Sequence, residues 1–225
     1  MRALLVAAAP VPGSVALVAR LAATSDLVIA VDGGGGVCLE AGVTPDIVLG
    51  DFDSLSAEEL ESLKSLGARI VEFSAKKDAT DLEIAIAEAR AAGATQLVVT
   101  CATAGRLDHT LAVVGALARS AELRPEIVEP QLSAWVLSVH GREELRLGPL
   151  GAAISLVAPI GPAIVSVGGV EWPLDRATLT ALSGLGVSNA VTDDAGCIVT
   201  VHEGVLLVLA PQLPDAPQAC PSHAD

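Results

Sequence analysis

The sequence predicts an α/β domain followed by an all-β domain: a Rossmann-like, mostly parallel sheet with flanking helices, then an antiparallel β-sandwich. Three observations carry this. Before about residue 130, short apolar runs alternate with helical segments, the rhythm of a parallel sheet covered on both faces. From Ser133 onward the helical period almost disappears, and short runs punctuated by Gly and Pro follow one another. Charge shifts at the same place, since 10 of the 13 Lys and Arg precede residue 131. The expected boundaries are 1–131 for the α/β domain and 132–212 for the sandwich. A Pro- and Ala-containing tail, 213–225, is expected to be disordered.

Taken in order, Leu4–Ala8 reads as a first buried strand and Val15–Ala23 as a helix after the Pro12-Gly13-Ser14 turn. Leu27–Val31 is a second strand, ending in Asp32 and four glycines, and a short helix, Val37–Ala41, leads through Gly42 toward Ile47–Leu49. That run is long enough for a buried strand and too short for a helix. Ser56 and Glu59 form a capping box for a helix to Leu66, and Ala68–Phe73 is a strand. Thr80 and Glu83 repeat the box ahead of the Asp81–Ala92 helix, which Gly93 stops. Gln96–Cys101 is a β-branched run and Leu107–Arg119 a helix. Strands are then expected over Ala134–Val139, Glu143–Leu147, Ala153–Ala158, Ala163–Val167, Ser188–Thr192, Cys197–His202 and Val205–Leu209.

Apolar residues make up 52% of the 225, ample for a core, but aromatics are 2% and Tyr is absent, so the core must be aliphatic. That scarcity argues against a stacking platform for single-stranded nucleic acid. The net charge of −14 argues against phosphate-backbone binding, and no nucleic-acid partner is expected. Cys38, Cys101, Cys197 and Cys220 are far apart and show no CxxC or CxxH spacing, which points away from zinc and disulfides and toward a cytoplasmic location. Met1–Ala9 reads as a strand rather than a leader because Pro10 and Pro12 interrupt the apolar run. No run approaches the roughly 20 residues of a bilayer span, so no membrane partner is expected.

Four stretches carry chemistry. Asp51 and Asp53 follow Ile47–Leu49 and Gly50. Carboxylates at the carboxyl end of a buried parallel strand stand where open α/β folds bind ligands. Two that crowd together repel unless a cation lies between them, and hard oxygens suit Mg²⁺; the alternative is a polar turn leading into a helix cap. Asp78 and Asp81, preceded by Lys76 and Lys77, open the helix after the next strand, a place where the helix dipole alone also favours acids. Four carboxylates on one sheet edge make a divalent cation the better explanation. Asp32 with Gly33 and Gly34 begins a turn that lacks both the GxGxxG and GxxxxGK[ST] spacings. It is either an open turn whose N–H groups approach phosphate or a turn with no ligand. Arg106, Asp108 and His109 lie where a helix begins after Gln96–Cys101. Arg106 offers a fork suited to phosphate, or a counter-ion for the carboxylates, and Asp108 is placed to orient Arg106 or His109. Carboxylates for Mg²⁺, a glycine turn and an Arg together describe phosphoryl transfer from a nucleotide.

Asp32-Gly33-Gly34, Pro45 to Ser54 (PDIVLGDFDS), Lys77 to Glu83 (KDATDLE) and Gly105 to His109 (GRLDH), in this order and spacing, resemble the thiamin pyrophosphokinase family. Gly169 to Leu174 (GVEWPL) and Gly186 to Asn189 (GVSN) resemble its C-terminal thiamin-binding segments, so the likeness covers nearly the whole chain. The resemblance implies a Mg²⁺-dependent transferase that moves the pyrophosphoryl group of ATP to the hydroxyl of thiamin, giving AMP and thiamin diphosphate. It implies an α/β nucleotide domain, a thiamin-binding β-sandwich and a homodimer with thiamin between subunits. Carried over by position, Asp51, Asp53, Asp78 and Asp81 would be catalytic, and Asp51, Asp53 and Asp81 the metal ligands. Asp32, Gly33, Gly34, Arg106, Asp108 and His109 would border ATP. Trp172 would stack on a thiamin ring, and Ser188 and Asn189 would hydrogen-bond the aminopyrimidine; Trp172 is otherwise a core residue of the sandwich. Two positions depart from the family's pattern: Val113 stands where Asn is usual, removing a polar group near the nucleotide, and Ala104 stands in place of a glycine. The alternatives are a different small alcohol as acceptor, water as acceptor in a nucleotide pyrophosphohydrolase, and a non-catalytic binding module.

Overall fold

The computed structural model describes residues 1–74 and 78–211. Lys76, Lys77, Cys220 and the tail expected from residue 213 fall outside them. The chain forms two compact units, Met1–Pro130 and the part from Gln131 onward.

The first unit runs β1 (Arg2–Val6), α1 (Ser14–Ala22), β2 (Leu27–Val31), α2 (Gly34–Glu40), β3 (Ile47–Gly50), α3 (Ala57–Ser65), β4 (Arg69–Glu72), α4 (Asp81–Ala91), β5 (Gln96–Thr100), α5 (Leu107–Ala118) and β6 (Glu126–Glu129). Its strands lie in the order β6-β5-β1-β2-β3-β4, and the pairs β1/β2, β1/β5, β2/β3, β3/β4 and β5/β6 are all parallel. A strand covered on both faces reads as a nearly unbroken apolar run, which is why Leu4, Leu5, Ile29, Leu49 and Leu97 are all fully buried. Alternate residues divide between the faces. Leu4, Val6, Val28, Ala30, Val48 and Val98 pack with Leu17, Val18 and Leu21 of α1, Val37 and Cys38 of α2 and Leu63 of α3. Helix α4 lies over β1, β2 and β3 beside α5, burying Leu82, Ala85, Ile86 and Ala89. Both expected capping boxes form, Ser56 with Glu59 and Thr80 with Glu83.

Helix α2 begins at Gly34, three residues before the expected Val37. Gly35 N–H donates to the Asp32 carbonyl at 3.0 Å and Gly36 N–H to that of Gly33 at 3.1 Å, so the glycines are the first turn of a helix and not an open loop. Glycine is a poor helix former, but a Cβ at Gly34 would collide with the Val6 carbonyl oxygen of β1. Close packing of α2 on the sheet overrides propensity here. The short strand β6 was not expected, because Glu126 and Glu129 flank its two buried apolar residues, Ile127 and Val128.

The second unit contains β7 (Leu132–Ser138), β8 (Glu144–Leu147), β9 (Ala153–Val157), β10 (Ala163–Gly168), β11 (Leu174–Leu179), β12 (Asn189–Ala190), β13 (Cys197–Glu203) and β14 (Val205–Pro211). Two antiparallel arrays, β12-β9-β14-β7 and β11-β10-β13-β8, enclose one core that includes Trp135, Leu137, Ile154, Leu156, Val165, Val199 and Val208. This is the expected sandwich. Ser188–Thr192 shrinks to the two-residue β12, because Ser188 takes a left-handed φ of 61°. Strand β11 is an addition: it is an edge strand whose charged Asp175 and Arg176 hid its pairing potential from the pattern.

Candidate active site

The order of the first unit's strands reverses direction at β1. From there β2, β3 and β4 spread to one side, and β5 and β6 to the other. Ligands of open α/β sheets bind outside the carboxyl ends of the strands, at such a switch point. Because every strand is parallel, the turns after β1, β2, β3, β4 and β5 converge on one edge, carrying Asp32, Asp51, Asp53, Asp78, Asp81 and the segment from Cys101 to His109.

Register fixes the acidic group. Val31 of β2 pairs with Leu49 of β3, so Asp32 leaves its strand beside Gly50 and Asp51. Asp32 N–H donates to the Leu49 carbonyl at 2.8 Å, and Asp32 Oδ1 accepts from Phe52 N–H at 3.0 Å. Asp53 N–H in turn donates to Asp51 Oδ1 at 3.3 Å, and Gly33 N–H to Ser54 Oγ at 3.2 Å. Asp32 and Phe52 sit in the left-handed region, at φ of 53° and 60°. Such strain persists only where the surroundings over-determine it. Gly50, at φ 154°, is required for a second reason: a Cβ there would strike the Asp32 carboxylate.

One oxygen from each of Asp32, Asp51 and Asp53 lies within 4.8 Å of the other two. Among the described residues, none of the three is paired with a Lys or Arg within 4.0 Å. A set of hard oxygen donors without protein cations fits Mg²⁺. The geometry therefore brings Asp32, expected beside the nucleotide, together with Asp51 and Asp53 in one acidic trio. Asp81, expected as a ligand, stands outside the trio but close enough to act on it. Burial raises the Asp32 carboxyl above the usual carboxylate range, and the charges of Asp81, Asp51 and Asp53 push it further, against the lowering hydrogen bond from Phe52. Asp78 is exposed and outside the group.

The sign of that shift gives a test. A carboxyl raised in the fold favours folding in its protonated form; the favour is complete below the ordinary Asp value of about 3.9 and is lost as pH rises through the raised value. Asp32→Asn keeps an acceptor for Phe52 N–H and tolerates the left-handed backbone. In EDTA at neutral pH the variant should melt a few degrees above the parent, with the difference gone near pH 4. Added Mg²⁺ should stabilise the parent more than the variant. Thermal scans with and without Mg²⁺ check this, and a parent insensitive to Mg²⁺ would contradict it.

The segment before α5 is held by its own charges. Arg106 Nε and Nη2 donate to Asp108 Oδ1 and Oδ2 at 3.1 and 2.6 Å, and His109 N–H donates to Asp108 Oδ1 at 3.0 Å. The Arg106 bond holds the Asp108 carboxyl down at about 2. Asp108 thus orients Arg106, whose exposed guanidinium keeps donors in excess of the two engaged. Gly33 caps α2 and Gly34 is buried in its first turn, so the glycine stretch is the start of a helix packed on the sheet. Val113 lies on the buried face of α5, in the core, so the departure there changes packing and not an exposed surface.

In the second unit Trp135 fills the core, whereas Trp172 is 58% exposed. Asn189 pins Trp172 from below: its Oδ1 accepts from Trp172 N–H at 3.1 Å and from Ala190 N–H at 2.9 Å, and its Nδ2 donates to the Trp172 carbonyl at 2.8 Å. Asn189 is buried, and its amide holds the backbone on which Trp172 is mounted. Ser188 is exposed, and its N–H donates to Ser155 Oγ at 3.0 Å.

Sequence reasoning missed two parts of the first unit's edge. One is the turn after β1, where Ala7 and Ala9 N–H donate to the Thr100 and Cys101 carbonyls at 3.0 and 2.8 Å. The other is Glu129, which caps the turn after β5. The signal for the first was Pro10 and Pro12 shortly after a strand; the second had none, since a lone glutamate carries no pattern.

The chain thus combines a parallel sheet that carries an acidic group at its carboxyl edge with an antiparallel sandwich, the architecture of a two-domain α/β plus all-β protein. The family descriptions that match are "Thiamin pyrophosphokinase, catalytic domain" over residues 18–128 and "Thiamin pyrophosphokinase, vitamin B1 binding domain" over residues 141–206. The chain belongs to the thiamin pyrophosphokinase family. It is similar to thiamine pyrophosphokinase of Bacillus subtilis, 25% identical over 185 residues that span 80% of this chain and 85% of that protein. Thiamine pyrophosphokinase 1 of rice is 27% identical over 161 residues, 67% of this chain, which spans only 60% of the rice protein's length. Among solved structures, the Bacillus subtilis thiamine pyrophosphokinase has a TM-score of 0.78 at 22% identity, covering 94% of this chain and 99% of that one. The Geobacillus thermodenitrificans thiamin pyrophosphokinase has a TM-score of 0.77 at 25% identity, covering 96% and 99%.

Proposed function

We propose that this chain transfers the pyrophosphoryl group of ATP to the hydroxyl of thiamin, giving thiamin diphosphate and AMP. The nucleotide is assigned to the first unit and thiamin to the second. The observation that carries the reading is the Asp32–Asp51–Asp53 group on the sheet edge, in a chain whose two units each match a domain of this family.

Asp32, Asp51 and Asp53 would hold Mg²⁺, which when bound supplies charge neutralisation for the polyphosphate. Arg106, held by Asp108, offers its remaining donors to a phosphate oxygen. The thiamin hydroxyl oxygen bonds to the β-phosphorus as the bond from that phosphorus to the α,β-bridging oxygen breaks. AMP leaves with the electron pair, and a carboxylate of the edge takes the hydroxyl proton. An exposed Trp172 with a pinned backbone supports stacking on a cationic thiazolium, an attraction worth about 1–2 kcal/mol.

Exposed apolar side chains support a homodimer. Leu107 and Leu111 lie one turn apart on α5, and Leu182, Leu185 and Val187 are exposed in the second unit; a single-protomer mass in sedimentation equilibrium would remove that support. Cys38, Cys101 and Cys197 are buried free thiols, with Cys38 pushed up by burial to about 12, in keeping with a cytoplasmic location. Among the described residues, no helix is long and apolar enough to cross a membrane.

Incubation with ATP, Mg²⁺ and thiamin, with the products resolved, tests the reading. AMP and thiamin diphosphate in equal amounts, formed only when all three are present, are the expected result. AMP formed without thiamin would make the protein a pyrophosphohydrolase, and no turnover would leave a binding module. In the same assay Trp172→Ala should weaken thiamin binding about tenfold, the equivalent of about 1.4 kcal/mol, with ATP affinity and melting temperature unchanged. Unaltered thiamin affinity would remove the stacking role.

A further inference from the structure

Where β5 and β6 end side by side, a carboxylate of the chain fills a concavity of backbone N–H groups. Glu129, the last residue of β6, is buried. Its Oε2 accepts from Cys101 N–H at 3.1 Å, and its Oε1 from Ala102 N–H at 2.8 Å, Thr103 N–H at 3.2 Å and Thr103 Oγ1 at 3.2 Å. Among the described residues, no Lys or Arg lies within 4.0 Å to pair with it. Three successive N–H groups converging on one point, beginning with Cys101 at a left-handed φ of 57°, form the kind of concavity that binds phosphate. Here a carboxylate occupies it. A phosphate at this edge of the sheet is therefore denied the N–H groups of 101–103 and must use the segment beyond.

The same carboxylate fixes where that segment points. The Thr103 carbonyl accepts from Thr110 Oγ1 at 3.2 Å, and the Arg106 carbonyl accepts from Thr110 N–H at 3.1 Å. A continuous hydrogen-bonded path thus runs from Glu129 through Thr103 and Thr110 to Arg106. We propose that Glu129 is a positioning residue for the nucleotide: it occupies the N–H concavity after β5 and holds the turn that carries Arg106. The proposal rests on the pyrophosphokinase reading.

Calorimetric titration with a non-hydrolysable ATP analogue plus Mg²⁺, and separately with thiamin, tests it. Glu129→Gln keeps the side chain's size but turns an amide donor toward N–H donors. Nucleotide Kd should rise about tenfold or more, because hydrogen bonds to a charged group are among the stronger ones and small misplacements of a binding group are costly. Thiamin Kd should stay within about twofold of the parent. An unchanged nucleotide Kd overturns the proposal. Equal weakening of both ligands also overturns it, by showing a merely structural role. If circular dichroism shows Glu129→Gln unfolded, Thr103→Val takes its place, since it removes one of the four donors; nucleotide Kd should then rise about two- to fivefold, and no change overturns the proposal. A parent that binds no nucleotide refutes the underlying reading, and this inference with it, before any variant is made.

Discussion

Asp51→Asn should lower the rate of thiamin diphosphate formation at least about a thousandfold while leaving the fold intact. Charge stabilisation by a bound cation in phosphoryl transfer amounts to several kcal/mol, and each 1.4 kcal/mol or so is a factor of ten in rate. Removing one of the three carboxylates of the Asp32–Asp51–Asp53 group takes away a ligand and a negative charge together. The fold should survive because the asparagine oxygen can still accept from Asp53 N–H, the bond that Asp51 Oδ1 accepts at 3.3 Å. Asp51 is also only half-buried. Product formation is the readout, with circular dichroism as the control for folding. Near-parental turnover in a folded Asp51→Asn protein would falsify the metal assignment, since no other part of the edge gathers three carboxylate oxygens among the described residues.

Gly34→Ala should be the most damaging single-methyl change in the first unit. The added Cβ would run into the Val6 carbonyl of β1, with the Val6 carbonyl carbon 2.8 Å away and the Ala7 oxygen at 3.0 Å, and all three belong to the backbone. A backbone obstacle cannot rotate aside, so α2 must lift from the sheet or β1 must shift. The expected loss is about 3 kcal/mol or more, a fall in melting temperature of roughly 10 °C. Gly36→Ala is the contrast. Its Cβ would meet only the flexible end of Glu59, at 2.9 Å, and helix propensity favours alanine by up to about 1 kcal/mol. Thermal melts of the pair decide the matter: if the two variants lose the same stability, close packing is not why Gly34 is there. Because α2 follows directly on Asp32, Gly34→Ala should also disturb the acidic group.

Much of this was legible in the chain itself. Apolar runs of four or five residues between helical stretches dictated a parallel sheet, because a strand buried on both faces has no polar alternative. Ser56 with Glu59 and Thr80 with Glu83 announced two helix starts by local hydrogen bonding alone, and both formed. Asp46 precedes its strand in the sequence, and its Oδ2 accepts from Val28 N–H at 2.8 Å, at the amino end of the strands and away from the acidic trio. The ordered motifs identified the family. All of these depend on neighbours within a few residues, or on matching short stretches, and such information is written along the chain.

What the chain could not show depends on pairing between residues far apart in it. Asp32 joins Asp51 and Asp53 only because β2 lies beside β3 with Val31 opposite Leu49. A shift of one residue would have turned it away. The four glycines looked like a loop because their propensity says loop; the backbone of β1, nearly thirty residues earlier, makes them a helix. Trp135 and Trp172 are equally apolar on paper, and the sandwich buried one and left the other exposed. Asn189 carries no sign in the sequence that its amide engages the Trp172 backbone through both its oxygen and its nitrogen. Glu129 was unremarked, because a lone glutamate carries no pattern; only the crossover that sets β6 beside β5 delivers its carboxylate to three waiting N–H groups. Local interactions chose the elements and the family, and long-range register and close packing chose which side chains share the site.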